Sequence, residues 1–114
     1  MRVLTHPDDF VPLYRQLNSE PQKNKATWDA IKTVKQQLED SVVPLGIHHK
    51  WKNISEYYKK RYSIQALYHF ETPESHRLMY TIRKTPEGKE ALFLELLTHD
   101  EYNKRFGYFK KKSH

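Results

Sequence analysis

A chain of 114 residues with a net charge of +6 and no cysteine is long enough to bury roughly two thirds of its unfolded surface as one domain without a disulfide staple. Thiolate nucleophiles and zinc–thiolate sites are excluded with the cysteines, and no apolar run approaches the roughly 20 residues that span a bilayer. A soluble, cytoplasmic protein with no membrane partner is expected.

In chain order, residues 2–5 read as a short strand. His6-Pro7-Asp8-Asp9 then opens a helix, with proline tolerated in the first turn and carboxylates near the positive end of the dipole. Pro12 forfeits a hydrogen bond inside a helix and leaves open a start at that residue. Phe10, Leu13, Tyr14 and Leu17 give the helix an apolar side. Residues 18–23 read as a loop and Asn24 as a cap for a second helix reaching Asp40. Its Trp28, Ile31, Val34 or Lys35, and Leu38 recur at three- and four-residue steps, the stripe of a helix laid on a sheet. The run from Val42 to Gly46 ends it.

Residues 47–62 are basic and aromatic without a clear period, and a helical turn is expected at 54–60. Residues 64–70 read as a strand with Ile64, Ala66, Tyr68 and Phe70 on one side. From His76 to Lys84 the alternation puts His76, Leu78, Tyr80 and Ile82 on one face and Arg77, Met79, Thr81 and Arg83 on the other, a basic face. Pro86, Glu87 and Gly88 make a turn, and Leu92 to Leu97, nearly all apolar, reads as a strand buried on both faces. The expected class is α+β: a short N-terminal strand and two helices packed on one face of an antiparallel sheet of three to four strands. Residues 1–102 form the domain and 103–114 a basic C-terminal tail.

The charge is unevenly placed. Residues 48–62 hold Lys50, Lys52, Lys59, Lys60 and Arg61 with Glu56 as their one acid, and residues 103–114 hold Lys104, Arg105, Lys110, Lys111 and Lys112 with none. Such clusters suit a polyanion, although a basic surface also serves solubility alone. Trp51, Tyr57, Tyr58, Tyr62, Phe106, Tyr108 and Phe109 interleave the cations with stacking faces, which favours nucleic acid over membrane.

The order of elements, with His76-Arg-Leu-Met-Tyr80 in the middle of a meander and Thr98-His-Asp-Glu-Tyr102 at its end, resembles the RelE/ParE toxin superfamily of toxin–antitoxin systems. The His76–Tyr80 run is similar to the His-Arg-Leu-Val-Tyr run of the YoeB branch, and the passage from Val43 to Lys52 is similar to the exit from that family's second helix. The likeness covers most of the chain by element order and about ten residues by identity. It implies an endoribonuclease that cuts mRNA on the ribosome without metal or other cofactor and is silenced by an acidic antitoxin, and it leaves a homodimer open. The RNA's own 2′-hydroxyl attacks the neighbouring phosphate, which leaves a cyclic phosphate and a 5′-hydroxyl. The reaction needs an acceptor for the 2′ proton, a cation beside the phosphorane and an acid for the leaving oxygen.

Carried over by residue, Arg77 holds the scissile phosphate through the paired donors of its guanidinium, His99 passes a proton, and Tyr102 donates a proton or stacks on a base. Taken alone, Arg77 reads as a solvent-side arginine of a sheet, His99 as a strand-end histidine and Tyr102 as a rim of the core. Lys50, Lys52, Lys59, Lys60 and Arg61 line the RNA groove, and Arg83 adds a phosphate contact from the same face as Arg77. Two departures stand out. Neither Glu39 nor Glu56 matches the glutamate from the second helical region that serves as base in that branch, and the chain continues past Tyr102 where the family's last strand normally closes the protein. The alternatives are a non-enzymatic gyrase inhibitor in the manner of ParE and a basic RNA-binding domain. A zinc site drawn from His48, His49, His69, His76 and His99 fits no known ligand spacing.

Overall fold

The computed structural model describes residues 1–19, 25–73 and 76–106, the backbone alone at 17 and 18. The expected apolar contact of Leu17, the Asn24 cap and residues 107–114 of the tail lie outside the described residues. Strand β1 (Arg2–Thr5) leads to helices α1 (Val11–Ser19) and α2 (Lys25–Glu39), then strand β2 (Ile47–His48) and a 3-10 turn at Trp51–Asn53. Helix α3 (Glu56–Tyr62), strands β3 (Tyr68–Thr72), β4 (His76–Thr85) and β5 (Gly88–Leu97), and helix α4 (His99–Phe106) complete the order. No described helix is long and apolar enough to cross a membrane.

The α+β class holds, and β3, β4 and β5 form the expected antiparallel meander. The sheet itself differs from expectation, with five strands in the order β1-β5-β4-β3-β2 and a mixed sense. β1 runs parallel to β5, Arg2 opposite Glu90 and Thr5 opposite Phe93, while β2 adds two residues to the outer edge of β3. Alternation identifies a strand but carries no direction, and a two-residue strand has no period to read.

Helices α1 and α2 cover one face as expected, with Phe10 of the turn before α1 and Ile31, Val34 and Leu38 of α2 packed against Leu78, Tyr80, Ala91 and Phe93, and Leu13 and Tyr14 of α1 beside them. The opposite face is the second correction. Met79 and Thr81 are buried there, and a second core joins Ile54, Tyr58, Leu67 and Tyr102 to Met79, Leu92, Leu94 and Leu97. The side expected to be a basic surface is thus a layer roofed by α3 and α4. The strand expected over 64–70 begins only at Tyr68. Ser63, in a left-handed conformation (φ 51°), ends α3, and Ile64 enters the second core while Tyr68 and Phe70 pack on the first.

A bulge decides what β5 shows to each side. Met79 pairs with Glu95 but Tyr80 pairs with Phe93, so Leu94 has no partner and Leu94 and Glu95 both face α3 and α4. Strict alternation would have sent Glu95 to the same side as Phe93. At the bulge itself Tyr80 ties down the α2–β2 connection: its hydroxyl accepts from the Leu45 amide at 2.9 Å and donates to the Leu45 carbonyl. Gly46 follows at φ +82°, and a Cβ there would stand 2.5 Å from the His69 carbonyl oxygen, so glycine alone lets β2 close on β3.

Helix α4 starts where the expected last strand ends. Thr98 and Glu101 form a reciprocal cap, the Glu101 amide donating to Thr98 Oγ1 (3.2 Å) and the Thr98 amide to Glu101 Oε1 (2.9 Å). The helix runs through the boundary expected at Tyr102, and Phe106, assigned to the tail, packs on the second core.

Candidate functional site

The residues singled out by the sequence fall into two groups. Arg77 lies opposite Leu97 in the β4–β5 ladder, at the end of the sheet from which α4 departs. Its guanidinium carbon stands 5.3 Å from the ring centre of Tyr102, and its Nε lies 3.7 Å from Glu71. The Arg77 side chain is only 16% exposed. Tyr102 is buried, whereas His99, one helical turn earlier on α4, is exposed. Spacing of three along a helix puts His99 and Tyr102 on one side of it. Arg77 and Tyr102 are therefore neighbours at one end of one sheet face, and His99 opens the helix that carries Tyr102.

Arg61 and Arg83 sit elsewhere, each with a carboxylate. Arg61 clamps Asp9, Nε to Oδ2 at 2.6 Å and Nη2 to Oδ1, with the Tyr62 hydroxyl donating to the same carboxylate. The Arg61 hydrogen bonds hold the Asp9 carboxyl down at about 2, against the desolvation that would raise it. This clamp joins the chain before α1 to α3. Arg83 bonds Glu90 at 2.7 Å. Six residues along β4 from Arg77, it is roughly 20 Å away. Lys59 stands 4.5 Å over the Trp51 ring and 3.7 Å from Glu56, while Lys50, Lys52 and Lys60 are exposed.

Beneath α4 lies a pair that sequence reasoning did not assemble. His49 Nε2 and His69 Nδ1 are 2.7 Å apart and both residues are buried. Phe106 stacks on His49 and Tyr102 meets His69 edge-on, so the same helix that approaches Arg77 roofs the imidazoles. Burial lowers both from 6.5 to about 4; the neighbouring imidazoles add to the shift of His49 and the Arg77 charge to that of His69. His69 Nε2 is buried with no hydrogen-bond partner among the described residues. The sequence grouped His48, His49 and His69 only as zinc ligands of no known spacing, because the contact of His49 with His69 arises through the β2–β3 register, in which Ile47 faces His69.

A third cluster forms around the carboxylate that the bulge turned over. Glu95 Oε2 accepts from Arg105 Nη2 at 3.1 Å and from the Tyr57 hydroxyl at 3.3 Å, and the Arg105 guanidinium lies 3.9 Å from the Tyr57 ring centre. Above it, between the 3-10 turn with α3 on one side and α4 on the other, is an open cleft of about 550 Å³ whose walls include Lys52, Tyr57, Lys104 and Arg105.

No family model, curated protein or solved structure matches the chain. What the site can do follows from its own chemistry. Among the described residues no three histidine, aspartate or glutamate side chains come together as metal ligands would. What the surface does offer is guanidinium and ammonium groups set beside aromatic rings, a combination that binds phosphate and unpaired bases.

Proposed function

We propose that the chain is an endoribonuclease of the RelE/ParE toxin type, acting on mRNA at the ribosome in the cytoplasm and held silent by an acidic antitoxin protein. One observation carries the reading: Arg77, the arginine of the motif, stands over the ring of Tyr102 at the end of the sheet where His99 begins α4. In the proposed reaction the 2′-oxygen of the RNA bonds to the adjacent phosphorus as its proton leaves. The bond to the 5′-oxygen breaks, and that oxygen takes up a proton. Arg77 neutralises the charge that grows on the phosphorane oxygens. His99 is the proton carrier and Tyr102 the donor or base platform.

The test supplies the purified protein with translating ribosomes and maps new 5′-hydroxyl ends on the mRNA. Arg77→Ala should abolish the ends while the circular dichroism spectrum stays that of the folded parent. Equal cutting by Arg77→Ala would remove Arg77 from the site.

A second reading, a non-enzymatic binder in the manner of ParE, is favoured by the cover over the same residues, since Arg77 already faces Glu71 and the Tyr102 ring is buried. It predicts inhibition of gyrase with no new RNA ends at all.

A further inference from the structure

We infer that the cleft between the 3-10 turn with α3 and α4, together with the exposed Trp51 of that turn outside the cleft wall, is a docking groove for single-stranded RNA. The inference rests on the RNA-directed reading above but not on cleavage. The Trp51 indole is 49% exposed, unusual for the largest apolar side chain, and Lys59 lies over its ring. A base laid on the indole would share it with that cation. Tyr57, on the cleft wall, is likewise exposed and carries the Arg105 guanidinium against its ring.

The charges around these two rings point the same way. Lys52, Lys104 and Arg105 line the cleft, Lys50 precedes the turn, and Glu56 is the one acid among the lining residues, itself beside Lys59. Helix α4 segregates its charge, Asp100 and Glu101 in the first turn and Lys104 and Arg105 in the last, so the cleft meets its basic end. That arrangement also suits the helix dipole, which explains the sign of the charges but not their placement beside two exposed rings. Ser55 Oγ and Arg105 Nε, at the inner wall, are buried without a hydrogen-bond partner among the described residues. Duplex RNA hides its bases and gives the rings nothing to stack on, so the occupant is an unpaired strand.

The experiment uses the full chain carrying Arg77→Ala, so that RNA is held and not cut, and titrates it with a short labelled oligouridylate. Binding should quench tryptophan fluorescence, and a duplex of equal length should bind far more weakly. Trp51→Ala should weaken binding about ten-fold, the size of one stacked base. Lys52→Glu or Lys104→Glu should weaken it and make the salt slope shallower by about 0.7 for each phosphate that is no longer neutralised. Lys32→Glu, the same charge change on α2 across the sheet, should do neither. If Trp51→Ala binds as tightly as its parent, or the duplex binds as well as the single strand, the groove is wrong. Cutting that survives Trp51→Ala with unchanged KM also overturns the groove and leaves the nuclease reading standing. Quenched binding with no new ends from the Arg77 parent supports the groove and removes the nuclease.

Discussion

His49 Nε2 and His69 Nδ1 share one hydrogen bond of 2.7 Å inside the protein, under the rings of Tyr102 and Phe106. Burial keeps both imidazoles neutral down to about 4, whereas in the unfolded chain they titrate near 6.5. Between those values the unfolded chain binds protons that the folded one refuses. The folded state therefore has its full stability above 6.5 and loses it as the pH falls towards 4. Urea midpoints measured across that window should drop steadily, and the double substitution His49→Phe with His69→Leu should flatten the profile. A parent midpoint that does not move between pH 6.5 and 4 would show the pair to be accessible to protons.

Gly46 gives a sharper steric test. Gly46→Ala must hold a Cβ at φ +82° and 2.5 Å from the His69 carbonyl oxygen, so β2 has to move off β3. The loss should be at least about 1 kcal/mol. Gly88, at φ +124° with nothing within 4 Å of an added Cβ, shares the conformational strain without the collision. Gly88→Ala should therefore cost less, and thermal unfolding of the two variants side by side decides the matter.

Thr98→Ala removes the side-chain half of the α4 cap at a cost of about 1 kcal/mol. Because α4 joins the rest of the molecule through Tyr102, Arg105 and Phe106, the damage should stay local. Amide hydrogen exchange should quicken through α4 and hardly change in the middle of β4. Combined with Glu101→Ala, the two losses should sum to more than the pair costs, since each residue caps the other.

Much of the framework was readable because it follows from period. The α2 stripe of Ile31, Val34 and Leu38, the alternation of β4 and the apolar run of β5 each record burial directly. What escaped was set by tertiary partners. Thr98-His-Asp-Glu101 carries the spacing of a capping box, a local signal that was available, but the strand expectation absorbed it. The reversal of Glu95 had no such signal, since a bulge is a property of two strands together. Of the candidate site, Arg77 and Tyr102 do meet, whereas Arg61 and Arg83 are joined to Asp9 and Glu90, acids distant or unremarkable in the sequence.

The parallel ladder between β1 and β5 ties the opening of the polypeptide to its last strand. Until residues 90–93 have been made, β1 has nothing to pair with, and Phe10 of the first core lacks the Phe93 ring it leans on. β1 can therefore join the sheet only once β5 exists. A pairing this distant in sequence carries a loop-closure cost that the local β4–β5 hairpin does not.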